Sequence, residues 1–144
     1  MNENRKYRGY FFTNMYLSTI QAGIQCAHAI GRMAREYNYI FNEWIENHET
    51  IILLNGGNCT DLDDLYDTLS RLIKDLNYDD SNPLPLVRFH EDKRSLNEAT
   101  TCVGIILPDS IYDRNPGENF GLDDEIDEIE AEIYDLISKY QLVR

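Results

Sequence analysis

No other part of the chain limits its packing as tightly as Gln21 to Gly31 (QAGIQCAHAIG). The stretch is short on bulk and rich in Ala, Gly and Cys. Ile20, Ile24, Ala27, Gly31 and Ala34 recur at helical spacing, which predicts a helix over 18–37. A glycine inside a helix costs roughly 1 kcal/mol against alanine, and this helix holds Gly23 and Gly31. The expected compensation is close approach of the helix backbone to a sheet, or of a ligand to the helix. Gln21, Gln25 and His28 follow one another at spacings of four and three, which places them on one side.

The flanking segments read as an α/β fold. Arg8 to Leu17 is aromatic-rich and predicts a buried first strand, and Ser18 or Thr19 then caps the helix. Tyr39 to Asn47 carries Ile40, Phe41, Trp44 and Ile45 on one face, as a short second helix would. Thr50 to Leu54 predicts a central strand, stopped by a turn at Asn55-Gly56-Gly57-Asn58. Thr60 opens a helix with acids in its first turn and a leucine face through Leu76. Leu86 to His90 and Thr101 to Leu107 predict two further strands, neighbours in a mixed four-stranded sheet flanked by helices.

The tail has a different character. Asp113 to Gly121 contains Pro and Gly and reads as a linker. Leu122, Ile126, Ile129, Ile133, Leu136 and Tyr140 then form a heptad-like stripe over 122–142. Two readings stay open: the stripe packs on its own domain (1–113), or it faces a second copy as a homo-oligomer seam.

Charge narrows the function classes. The net charge is −13, and residues 118–144 hold nine acids against Lys139 and Arg144. Neither part of the chain has the basic surplus that nonspecific phosphate binding requires. The N-terminus has no apolar signal core, and no apolar run approaches the ~20 residues of a bilayer span. Cys26, Cys59 and Cys102 are odd in number and far apart, the pattern of reduced thiols. A cytoplasmic protein without membrane partners is expected. His28 has no His or Cys at ligand spacing, so no metal site is expected.

These residues carry a family resemblance. Gln25-Cys26-Ala27-His28-Ala29 is similar to the Gln-Cys-Ser/Ala-His-Ala helix of the type-2 peptidyl-tRNA hydrolases. A helix with Trp44, the strand Thr50 to Leu54 and an acid-started helix follow in family order. His90-Glu91-Asp92-Lys93-Arg94-Ser95 resembles the family's Gln-Asp-x-Gly-Arg-Thr loop, and Thr101-Cys102-Val103-Gly104-Ile105 resembles its Thr-Val-Leu-Gly-Ile strand. The likeness spans about residues 8–113.

It implies a compact α/β domain with a pocket between the first helix and the loop before the last strand. It also implies cleavage of the ester joining a peptide to the tRNA 3′ end, without metal or organic cofactor. The family's lysine falls at Gln21, whose carboxamide carries no charge. Losing one such oxyanion contact is worth about 10²–10³ in rate. The aspartate aligns with Glu91, with Asp92 as the alternative. The glycine aligns with Lys93, Arg94 matches, and Ser95 stands for threonine.

Each of these residues also has a plainer role. His28 would serve as a helix histidine bonded to backbone, Gln21 and Gln25 as solvated positions, and 91–94 as a loop of screened ion pairs. On the functional side, Gln21, Gln25, His28, Lys93 and Arg94 would hold a nucleotide-like or other anionic ligand, or a partner. Such an acidic, altered relative would suit a phage or mobile-element sponge or inhibitor. The alternative is an active peptidyl-tRNA hydrolase using Glu91, Arg94 and Ser95.

Overall fold

The computed structural model describes residues 5–36, 38–76, 83–91, 99–114 and 124–143. In chain order the elements are β1 (Tyr7–Asn14), α1 (Thr19–Ala34), α2 (Tyr39–Asn47), β2 (Ile51–Gly57), α3 (Cys59–Leu76), β3 (Leu86–His90), β4 (Thr100–Pro108), α4 (Asp109–Tyr112) and α5 (Asp124–Ile137). They make an α/β domain with a mixed sheet in the order β2-β1-β4-β3. β1 and β2 are parallel, while β4 runs antiparallel to both β1 and β3. Every residue of β4 is buried, as expected of an inner strand with helices on both faces.

α1 starts at a capping box. Ser18 accepts from the Gln21 backbone N–H at 3.1 Å, and the Gln21 side chain accepts from the Ser18 N–H at 3.0 Å. The face α1 buries is not the expected stripe. Ala22, Gln25, Cys26, Ala29 and Met33 lie inward, while Ile20 is 78% exposed and Ile24 50%. A Cβ on Gly23 or Gly31 would meet nothing within 4 Å, so neither glycine serves a close approach within the described residues. Small residues on both sides give α1 two stripes of equal periodicity. The sheet selects the one that ends in Met33, whose methyl reaches Gly104 of β4.

β2, expected as a central strand, lies at the edge of the sheet, and it does not end at Leu54. It runs through Asn55-Gly56-Gly57, the residues expected to form a turn. Gly56 is the extra residue where the β1–β2 register shifts. A Cβ there would lie 2.4 Å from Leu62 of α3, so the helix seats against bare backbone. α3 is then capped by Asn58, which accepts from the Asp61 N–H at 2.9 Å.

Of the two readings of the tail, packing on its own domain is the one observed. Ile133 is fully buried in the core, and Ile126, Ile129, Leu136, Ile137 and Tyr140 pack with it. The stripe expected as an oligomer seam is thus used within the chain, and the tail belongs to the same domain. Residues beyond α5 also cover an open sheet edge: the Val143 N–H donates to Leu53 O and the Asn55 N–H to Gln141 O. Most of the linker 114–121 lies outside the described residues. Among them, no helix is long and apolar enough to cross a membrane.

Cys26 and Cys102 are buried, and Cys59 is half-buried. Burial pushes the Cys26 thiol from its ordinary 9.0 up to about 11. Cys102 is raised further, by burial and then by Cys26 beside it. An acid raised by folding keeps its proton longer in the folded state. Its stabilisation is therefore complete below pH 9 and drains away as the pH climbs toward 11. Urea midpoints should fall across that window, and Cys26→Ala should flatten the slope.

Candidate functional site

Polar and aromatic groups of α1 meet the end of β3 and the start of β4. The local cause is an irregularity in the β3–β4 ladder. Phe89 pairs with Cys102 and His90 with Thr100, which leaves Thr101 as the extra residue. Strict alternation would send Thr100 and Cys102 to the same face. The bulge breaks it: Cys102 lies beside Cys26 of α1, and the Thr101 hydroxyl also turns to α1, donating to Gln25 at 2.8 Å, while the Thr100 hydroxyl donates to Asp63 of α3 at 2.5 Å. Bulges of this kind re-aim side chains beside functional sites.

Gln25 is 7% exposed, and Thr101 is fully buried. Their bond satisfies one end of the carboxamide and fixes its orientation. The Gln25 N–H₂ remains as a pair of donors, with no acceptor among the described residues. One turn along α1, the exposed His28 ring lies parallel to Phe89 at 4.7 Å. The Arg32 guanidinium sits 5.5 Å from the Phe89 ring centre. Glu91 follows β3, and its N–H donates to Ala99 O at 3.2 Å, just before β4. On the opposite face, Arg88 pairs with Asp63 at 3.3 Å and lies over Tyr66.

The structure thus gathers part of the expected set. Gln25 and His28 lie on α1 beside β3, and Glu91 lies at the loop entrance. Gln21 is exposed and engaged in the helix cap, so the three residues expected on one side divide between one buried and two exposed positions. Asp92, Lys93, Arg94 and Ser95 lie outside the described residues. Sequence reasoning missed Thr101, Phe89 and Arg32 as members. Arg32 at four residues beyond His28 was legible; the bulge that turns Thr101 toward Gln25 was not.

Tyr7 and Tyr10 are core residues, whereas Tyr16 is 79% exposed. The Gly56-Gly57 pair belongs to strand β2. Comparison of the chain with models of known protein families and with curated proteins gave no match.

Proposed function

We infer that the chain is a binding protein on a frame resembling type-2 peptidyl-tRNA hydrolase, holding a nucleotide-like or other anionic ligand at α1 and the β3–β4 end. The observation that carries this reading is Gln25, fixed by Thr101 at the bulge and flanked by His28, Phe89 and Arg32. An oriented carboxamide reads hydrogen-bonding edges. Stacked imidazole and phenyl rings suit a base, and a guanidinium suits a phosphate.

Binding is favoured over hydrolysis by the state of Gln21. At the position where the resemblance expects an ammonium group, the side chain is neutral and closes the α1 capping box. A helix cap stabilises by about 1 kcal/mol and offers no positive charge to an oxyanion.

The test uses the purified chain with an N-acetylaminoacyl-tRNA and, separately, with a CCA trinucleotide. Saturable trinucleotide binding is expected, with no ester cleavage above the uncatalysed rate. Thr101→Val frees the carboxamide and should weaken binding about tenfold, equivalent to ~1.4 kcal/mol. Turnover that disappears in Glu91→Gln would overturn the binding reading in favour of an active hydrolase.

A further inference from the structure

A second cavity lies on the sheet face opposite α1. Strand alternation puts Phe11 toward α1 and Arg8 and Tyr10 on the other side, where Leu107 is the register partner of Arg8. The cavity measures about 280 Å³. Its floor is apolar and buried: Leu107, Ile111 and Ile137. Its walls are aromatic: Tyr10, Tyr112 and Tyr134. Ser138, just beyond α5, is exposed at the rim. The cavity is closed by the tail: Tyr134, Ile137 and Ser138 come from beyond residues 8–113 and meet Tyr10, Leu107 and Tyr112 there.

One cation stands against a lining tyrosine. The Arg8 guanidinium lies 4.2 Å from the centre of the Tyr112 ring. Burial raises the Tyr10 phenol, and Arg8 acts on it in the opposite direction. On Tyr112 the influence of Arg8 is larger than that of Asp109 or Asp113. Asp109 is itself paired with Arg5 at 3.8 Å. Among the described residues, no carboxylate lies within ion-pair distance of Arg8. In a chain of net charge −13, an exposed arginine against two lining tyrosines is a local exception to the prevailing sign.

We propose that this cavity binds a small aromatic carboxylate, its ring on the apolar floor between the tyrosines and its anion at Arg8. The volume lies just below the usual range for drug-sized ligands, which limits the guest to one or two fused rings. Tyrosine walls offer edge and face contacts to such a ring. The guanidinium fork matches a carboxylate with two parallel hydrogen bonds. Because Ile137 and Tyr134 belong to α5, an occupied cavity also holds the tail in place.

Titration calorimetry of the full chain with 1-naphthoate and with the neutral 1-naphthalenemethanol tests this. One-to-one binding of the acid is expected, about tenfold tighter than the alcohol. Arg8→Gln should bring the acid down to the alcohol's affinity. Arg8 is exposed and enters the sheet through its backbone, so that variant should keep the wild-type circular dichroism. Ser138→Phe fills the rim and should weaken both probes by at least about tenfold. No saturable binding of the acid overturns the proposal. So does equal affinity for acid and alcohol, an acid preference surviving in folded Arg8→Gln, or unchanged binding by Ser138→Phe.

Discussion

Replacing Trp44 by alanine should lower the thermal midpoint by about 10–15 °C, the equivalent of roughly 3–5 kcal/mol for a buried aromatic deleted from a domain of this size. Trp44 is fully buried. Its ring lies 6.2 Å from Phe11 and 5.7 Å from Phe41, so it joins α2 to the central strand β1. Its indole N–H donates to Thr50 O at 3.0 Å, just before β2 begins. The packing leaves no room for exchange: a Cβ on Gly9 would sit 2.9 Å from the Trp44 ring. Alanine would open a cavity between three elements and leave Thr50 O with the Gly9 N–H as its remaining donor at 2.9 Å. Trp44→Phe keeps most of the apolar area and loses the hydrogen bond, so it should cost about 1–3 kcal/mol. Scanning calorimetry of both variants checks the order. Equal losses would mean that the hydrogen bond, not ring volume, dominates this corner of the core.

Glu130→Ala should free the tail at a cost of about 3–5 kcal/mol, since it removes one partner from a buried charge cluster. The Glu130 carboxylate is fully buried on α5. It accepts from the Ser110 hydroxyl at 2.7 Å and faces Arg114 at 3.7 Å and Arg5 at 4.0 Å. Arg5 in turn donates to Ser110, and Arg114 also pairs with Asp127 of α5. One carboxylate thus ties α5 to α4 and to the start of the chain. Alanine leaves two guanidinium groups facing an apolar gap. Glu130→Gln retains an acceptor for Ser110 and should lose less.

The readout is limited trypsin digestion at Lys139 with mass detection: cleavage should accelerate in the order wild type, Glu130→Gln, Glu130→Ala. Release of the tail has two further effects. It removes the edge-on contact of Tyr140 with Phe12 at 4.8 Å, and it uncovers β2 where residues 141–143 pair with it. An uncovered edge strand invites intermolecular pairing, so Glu130→Ala should also aggregate on warming. Unchanged digestion and unchanged solubility would show that apolar burial at Ile133 alone seats the helix.

How much of this was legible in the chain differs from element to element. α2 was read at its observed bounds because Asn38 supplies a cap and Ile40, Phe41 and Trp44 fall on one face. α3 was readable from its leucines, whose period admits one buried face. α1 was found, but the stripe that marked it as a helix is not the face it buries. Its residues are small on every side, so periodicity offers two stripes and hydrophobicity cannot choose between them. α4 went unread: a four-residue turn after Pro108 carries too few positions for any period to register. The site was half-legible. Gln25 and His28 are set by their spacing on one helix, whereas Thr101 joins them only through a strand irregularity.

Sequence alone determined the kind of elements, their order, and a mixed sheet with β3 beside β4, because those follow from period and turn chemistry within each segment. Only the tertiary structure decided which face of α1 is buried, that the acidic tail closes on its own domain, and that the neighbours Thr101 and Cys102 both face α1. Each of those outcomes depends on contacts between residues far apart in the chain. Burying a face stabilises it only against the partner it meets, and no local pattern states which partner that is.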